Sequence, residues 1–152
     1  MIAEADRLYL DDLPVGRRFA TRTHALDSAQ IKRFATEFDP QPFHLDEAAA
    51  ERTFFQGLAA SGWHTMAITM RLMVEDVPIA GGIIGAGADV SWPQATRPGD
   101  VLQVHSEVLE NSPSKSRPDR GRIVLRSETR NQRGEVVQVM VGRLVVPRKV
   151  IA

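Results

Sequence analysis

From Gly62 to Val74 the chain carries only two strongly polar side chains, His64 and Arg71. Met66, Ala67, Ile68, Met70, Leu72, Met73 and Val74 together cover most of a helical circumference. A helix apolar nearly all round is a buried one, so this segment has to lie inside the fold. At 1.5 Å per residue it is about 20 Å long, too short to cross a bilayer. Ser61, just before it, is a good N-cap residue. The amino end of such a helix favours negative charge, because its first amides lack partners and its dipole is positive there. Gly62 lets a ligand come close to that backbone.

The elements around this helix read as follows. Leu8 to Gly16 leads in, with a turn at Leu13-Pro14-Val15-Gly16. Arg18 to Leu26 is a strand candidate. Asp27 or Ser28 caps a helix over Ala29–Phe38, with Ile31, Phe34, Ala35 and Phe38 at helical spacing. Asp46 caps a short helix over Glu47–Thr53, and Phe54-Phe55-Gln56-Gly57 is a loop whose rings should line something apolar. After Pro78 the pattern changes to strands. Ile83–Trp92 is glycine-rich, and its thin side chains are expected to let the central helix sit close. Val101–Glu110, Arg122–Thr129 and Glu135–Pro147 are further strands. Asn111–Gly121 reads as the most loop-like stretch, and Asn131-Gln132-Arg133-Gly134 as a hairpin turn. Helices followed by a run of antiparallel strands give an α+β layout. At 152 residues the expectation is a single domain over 1–152.

Asp39-Pro40-Gln41-Pro42-Phe43-His44 is the candidate for chemistry. Pro40 stops a helix near Phe38, and the residues before each proline are pushed to extended backbone. A stiff, non-helical turn is therefore predicted to carry both Asp39 and His44. A carboxylate and an imidazole held together can bind a water, take its proton and return it. Set against a bare helix amino end, they provide the parts needed to add water to an activated carbonyl compound.

The segment from Phe34 to Leu72, FATEFDPQPFHLDEAAAERTFFQGLAASGWHTMAITMRL, resembles the hydratase motif of the MaoC-like dehydratase family. That resemblance implies a hotdog fold, an antiparallel β-sheet wrapped around a long central helix, usually dimeric. It implies an acyl-CoA hydratase or dehydratase acting at the 2,3 double bond of an enoyl-CoA thioester, with (R)-specific outcome. It gives Asp39 and His44 as the catalytic dyad and Gly62 as the amide that polarises the thioester carbonyl. Gln41 stands where the family has Asn, and Ser61 and Trp63 replace the His and Met around the glycine. Substrate contacts are expected from Gln41, Phe43, Ser61, Trp63, Met66 and Met70. For Trp63, Met66 and Met70, plain core packing is the competing reading. The partner set is an acyl-CoA substrate and a second copy of the chain, as a homodimer or an assembly of dimers. Two rival functions stay open: a hotdog module that binds acyl-CoA or lipid without turnover, and a hotdog thioesterase.

Composition narrows the rest. Lys+Arg and Asp+Glu stand at 19 each, so no overall basic field points to nucleic acid. With no cysteine there is no disulfide or thiolate chemistry. The stretch MIAEADRLYL has acidic residues and no apolar run of signal-peptide type, so a cytoplasmic protein without membrane contact is expected. Asp39, His44, Asp46 and His64 lack metal-ligand spacing, and neither metal nor cofactor is expected. His24 and His105 read as ordinary strand residues. Arg71, Arg97, Lys115, Arg117 and Arg120 are the cations available to CoA phosphates.

Overall fold

The computed structural model describes residues 2–149. Five antiparallel strands, β1 (Arg18–Ala25), β2 (Ile84–Ser91), β3 (Val101–Pro113), β4 (Arg120–Arg130) and β5 (Val136–Pro147), form one sheet in the order β1-β3-β4-β5-β2. β3, β4 and β5 are a meander, and β1 and β2 are its two edges. Alternation explains which face is buried: Leu102, Val104 and Val108 point inward from β3, and Ile123 and Leu125 from β4. The β4–β5 connection closes as expected, with Gly134 N–H donating to the Asn131 carbonyl at 3.0 Å.

Helix α1 (Ser28–Phe38) is capped by Asp27, whose side chain accepts from Gln30 N–H at 2.9 Å. It buries Ile31 and Ala35 and ends at Asp39, before Pro40. The next segment departs from the predicted non-helical turn. Pro42–Leu45 is a single helical turn, α2, with Pro42 at its first position, and His44 sits on it. Proline is tolerated there because the first amide of a helix has no intrahelical partner. Asp46 then caps α3 (Glu47–Glu51), accepting from Ala49 N–H at 2.8 Å.

Helix α4 (Gly62–Asp76) lies against the sheet, nearest β1 and β3. Ile68, Leu72 and Met73 join the core cluster with Leu102, Val104 and Leu125. Each such side chain contributes about 1.5–3 kcal/mol by leaving water. The sheet and helix make the hotdog arrangement. Burial all round, however, does not hold. Trp63, Met70 and Val74 form an exposed stripe, while the buried face carries Thr65 and Thr69. Those hydroxyls are satisfied locally, Thr69 donating to the Thr65 carbonyl at 2.8 Å. A hydropathy pattern sees apolar residues but not what covers them.

Two further expectations change. The loop at 111–121 shrinks, because β3 and β4 stay paired out to Pro113 and Gly121. The glycines of β2 do not make room for the helix. Gly87 sits at φ +157° in an irregular stretch of the strand, and a Cβ there would meet the Arg143 guanidinium at 2.5 Å. Among the described residues no helix is long and apolar enough to cross a membrane.

Candidate active site

The end of α1, the turn α2 and the start of α4 converge on one cleft of about 710 Å³. Backbone bonds explain the convergence. Ala59 N–H donates to the Phe43 carbonyl at 3.0 Å and Ala60 N–H to the Thr96 carbonyl at 2.9 Å. The strand-like segment before α4 is thereby held between α2 and the turn after β2.

His44 is buried, and its Nδ1 lies 2.6 Å from the Ala59 carbonyl oxygen. A carbonyl only accepts, so Nδ1 carries the proton. In the neutral ring this leaves the lone pair on Nε2, which lies 3.3 Å from Asp39 Oδ2. In that form two acceptors face one another at a separation that leaves no room between them, so a group giving a hydrogen to each belongs beside them. Asp39 is organised on its other sides too. Ser61 Oγ donates to Oδ2 at 2.7 Å and Gln41 Nε2 to Oδ1 at 2.6 Å. Partial burial pushes the Asp39 carboxyl up, but the Ser61 and Gln41 hydrogen bonds, helped by His44, outweigh it and leave it below its ordinary value of 3.8. It is an anion at neutral pH.

Ser61 ties the dyad to α4. Its hydroxyl donates to Asp39 and accepts from Trp63 N–H at 3.2 Å, so the cap of the helix and the orientation of the acid are set by one atom. Gly62 is the first residue of that helix, and its N–H has no acceptor among the described residues. Gly62 lines the cleft together with Asp39, Gln41, Phe43, His44 and Trp63.

The remaining expected contacts fall elsewhere. Ser61 is wholly buried and lies beneath the cleft wall, where it positions Asp39. Met66 and Met70 lie further along α4, outside the residues lining the cleft. Phe55 and Phe54 do line it, although Phe54 is almost fully exposed. Arg97 is not free to meet phosphate. Its guanidinium donates to the carbonyls of Phe55, Gly57 and Leu58 at 2.5, 2.9 and 3.2 Å. The other wall, Trp92 to Thr96, escaped sequence reasoning because an aromatic at a strand end carries no signal of what it faces.

His64 takes no part in this cleft. Its ring stacks on Phe34 with centroids 4.6 Å apart, and its buried Nδ1 has no partner among the described residues. Among those residues no set of three His, Asp or Glu side chains is gathered as metal ligands. Burial, reinforced by His24 and Arg33, lowers the His64 pKa from its ordinary 6.5 to about 4. The unfolded chain therefore binds a proton that the fold refuses. Stability is fully present above the unfolded value and falls as pH drops from about 6.5 towards 4. Between pH 7.5 and pH 5 the expected loss is about 1–2 kcal/mol, because pH 5 lies above the folded value and solvent reaches the rim of the ring. Urea unfolding at pH 7.5 and at pH 5 measures it. His64→Phe, which keeps the stack on Phe34, is expected to flatten the difference; an unchanged difference would remove His64 as its cause.

With this geometry in place, the model of the family described as "MaoC like domain" matches residues 12–129. The chain belongs to that family. Its structure is similar to the crystal structure of the MaoC-like dehydratase from Rhodospirillum rubrum, with TM-score 0.93 and 59% identity over 95% of this chain and 99% of that one. The MaoC-like chain is also 34% identical to the uncharacterized protein YdeM of Bacillus subtilis, over 90% of this chain and 96% of that protein. It is 29% identical to the 3-hydroxybutyryl-CoA dehydratase of Methylorubrum extorquens, over 77% of this chain and 74% of the relative.

Proposed function

We propose that this MaoC-like protein adds water to, or removes it from, the 2,3 bond of an acyl-CoA thioester. The observation that carries the reading is the facing pair of acceptors, Asp39 Oδ2 and His44 Nε2, fixed from behind by Ser61, Gln41 and the Ala59 carbonyl. A water donating one hydrogen to each is held with its oxygen lone pair free. That oxygen bonds to C3 of the enoyl chain while one of its protons passes to the dyad. The electrons of the double bond move onto the thioester oxygen, which the Gly62 N–H receives at the positive end of α4. One such donor is worth about 3–4 kcal/mol in the transition state. The resulting enolate takes a proton at C2 from the dyad, so H and OH are added and the site is restored. Run backwards, the same steps eliminate water. The family, and the thioester named in the Methylorubrum relative, support the substrate class.

The test is a panel of trans-2-enoyl-CoA thioesters followed by loss of the conjugated absorbance. A 3-hydroxyacyl-CoA product supports the reading. Release of free CoA thiol without hydration indicates a thioesterase instead, and binding without either product indicates a non-catalytic module.

The exposed stripe of α4 is a surface for a second copy of the chain in this reading. The edge strand β2 has only β5 as a neighbour, leaving its other side open for pairing. Light scattering after size exclusion is expected to give a dimer at micromolar concentration; a monomer there would discard the assembly.

A further inference from the structure

We propose that Trp92, held by the buried amide of Gln138, sets the size of the acyl group that the cleft admits. The first observation is Gln138 itself. It is fully buried on β5 beside Val137 and Met140, a place where an aliphatic side chain would pack at no polar cost. Both polar atoms of its amide are engaged. Oε1 accepts from the Trp92 indole N–H at 3.0 Å, and Nε2 donates to Thr69 Oγ at 3.1 Å. Thr69 Oγ also lies 2.6 Å from Thr129 Oγ, so the tether runs from the indole through β5 into α4 and β4. A fully satisfied buried network of this kind fixes orientation more than it adds stability.

The second observation is what the indole does at its other end. Its six-membered ring lies flat enough against Gly62 that a Cβ there would come within 2.7 Å of Cε2 and Cζ2. Trp63 meets it edge-on with ring centroids 6.5 Å apart. Two aromatic walls therefore stand beside the amide that, in the hydration reading on which this inference rests, receives the thioester oxygen. The first carbons of the acyl chain must pass this wall. An untethered indole could rotate away from a longer chain. Here rotation breaks a hydrogen bond and strands a buried amide, which is unfavourable.

Crotonyl-CoA and trans-2-octenoyl-CoA are compared on wild type, Trp92→Ala, Trp92→Phe and Gln138→Leu. Wild type is expected to favour the four-carbon substrate. Trp92→Ala should raise the octenoyl-to-crotonyl ratio of kcat/KM by about 10- to 100-fold, the discrimination that pocket size can supply. Gln138→Leu should move the ratio in the same direction by a smaller factor, because the ring remains but its anchor is gone. Trp92→Phe should stay closer to wild type. The same ratio is read from Kd values of butanoyl- and octanoyl-CoA by calorimetry, so an enzyme inactive on every enoyl-CoA defeats the hydration reading without hiding the size effect. Ratios in Trp92→Ala within twofold of wild type, in both turnover and binding, would overturn the role of Trp92.

Discussion

Asp39→Asn is expected to lower the hydration rate on a short trans-2-enoyl-CoA by about 10²- to 10⁴-fold, with the fold intact. The size is that of a lost general base. The substitution keeps the shape of the side chain but removes its negative charge and its capacity to take a proton, and it replaces one acceptor oxygen by a donor. Ser61 and Gln41 both donate to Asp39, so one of them has to reverse its hydrogen bond to meet the new NH2. His44→Ala should reduce the rate to a similar extent, but it also leaves the Ala59 carbonyl without its donor in a buried place. That omission costs about 1–3 kcal/mol of stability. His44→Gln, which offers an amide N–H to the same carbonyl, separates the two effects. Wild-type rates in Asp39→Asn, with circular dichroism and melting unchanged, would remove the proposed mechanism.

The largest stability effect is expected far from the cleft. Gly121→Ala should lower the unfolding free energy by about 3 kcal/mol, the upper range for overpacking a fixed site. Gly121 is buried at the start of β4, opposite Pro113 in β3. A Cβ there would collide with Leu10 Cδ2, and with backbone that cannot step aside: the Ser112 carbonyl oxygen at 2.7 Å and Pro113 Cα at 2.9 Å. The leading segment is fastened at the same place, because Asn111 Nδ2 donates to the carbonyls of Leu10 and Leu13 at 2.8 and 2.9 Å. Leu10 and Leu13 are wholly buried, so a displaced β3–β4 end also loosens them. Urea denaturation of the pure protein checks this; a change below about 0.5 kcal/mol, the size of an ordinary surface substitution, would show that the segment yields easily.

The stretches that were legible in the sequence are those where one residue type dictates one backbone outcome. Asp27, Asp46 and Ser61 cap the helices that follow them, and Pro40 ends α1. The alternation of β3 to β5 placed their buried faces, and the resemblance over Phe34–Leu72 supplied the hotdog arrangement that periodicity does not contain. What was illegible depended on distant partners. Pro42 was read as a helix breaker, yet at the first position of a turn it starts one. Asn111–Gly121 looked like loop because Ser, Pro and Gly favour turns, but pairing across β3 and β4 overrides local preference. Ser61 stands behind the acid, a placement that only the 2.7 Å contact with Asp39 reveals. Trp92 and Gln138 are 46 residues apart, and nothing local links them.

Arg97 has a consequence for how such a scaffold can diversify. One guanidinium grips three carbonyls of the Phe55–Leu58 loop, and its own amide is held by Asp100 at 2.8 Å. The rim that carries Phe54 and Phe55 is thereby fastened to the ledge that carries Gln94 to Thr96. Side chains mounted on the two segments can be exchanged without disturbing this clasp, whereas hinged opening of the rim has to break the bonds of Arg97 to Phe55, Gly57 and Leu58.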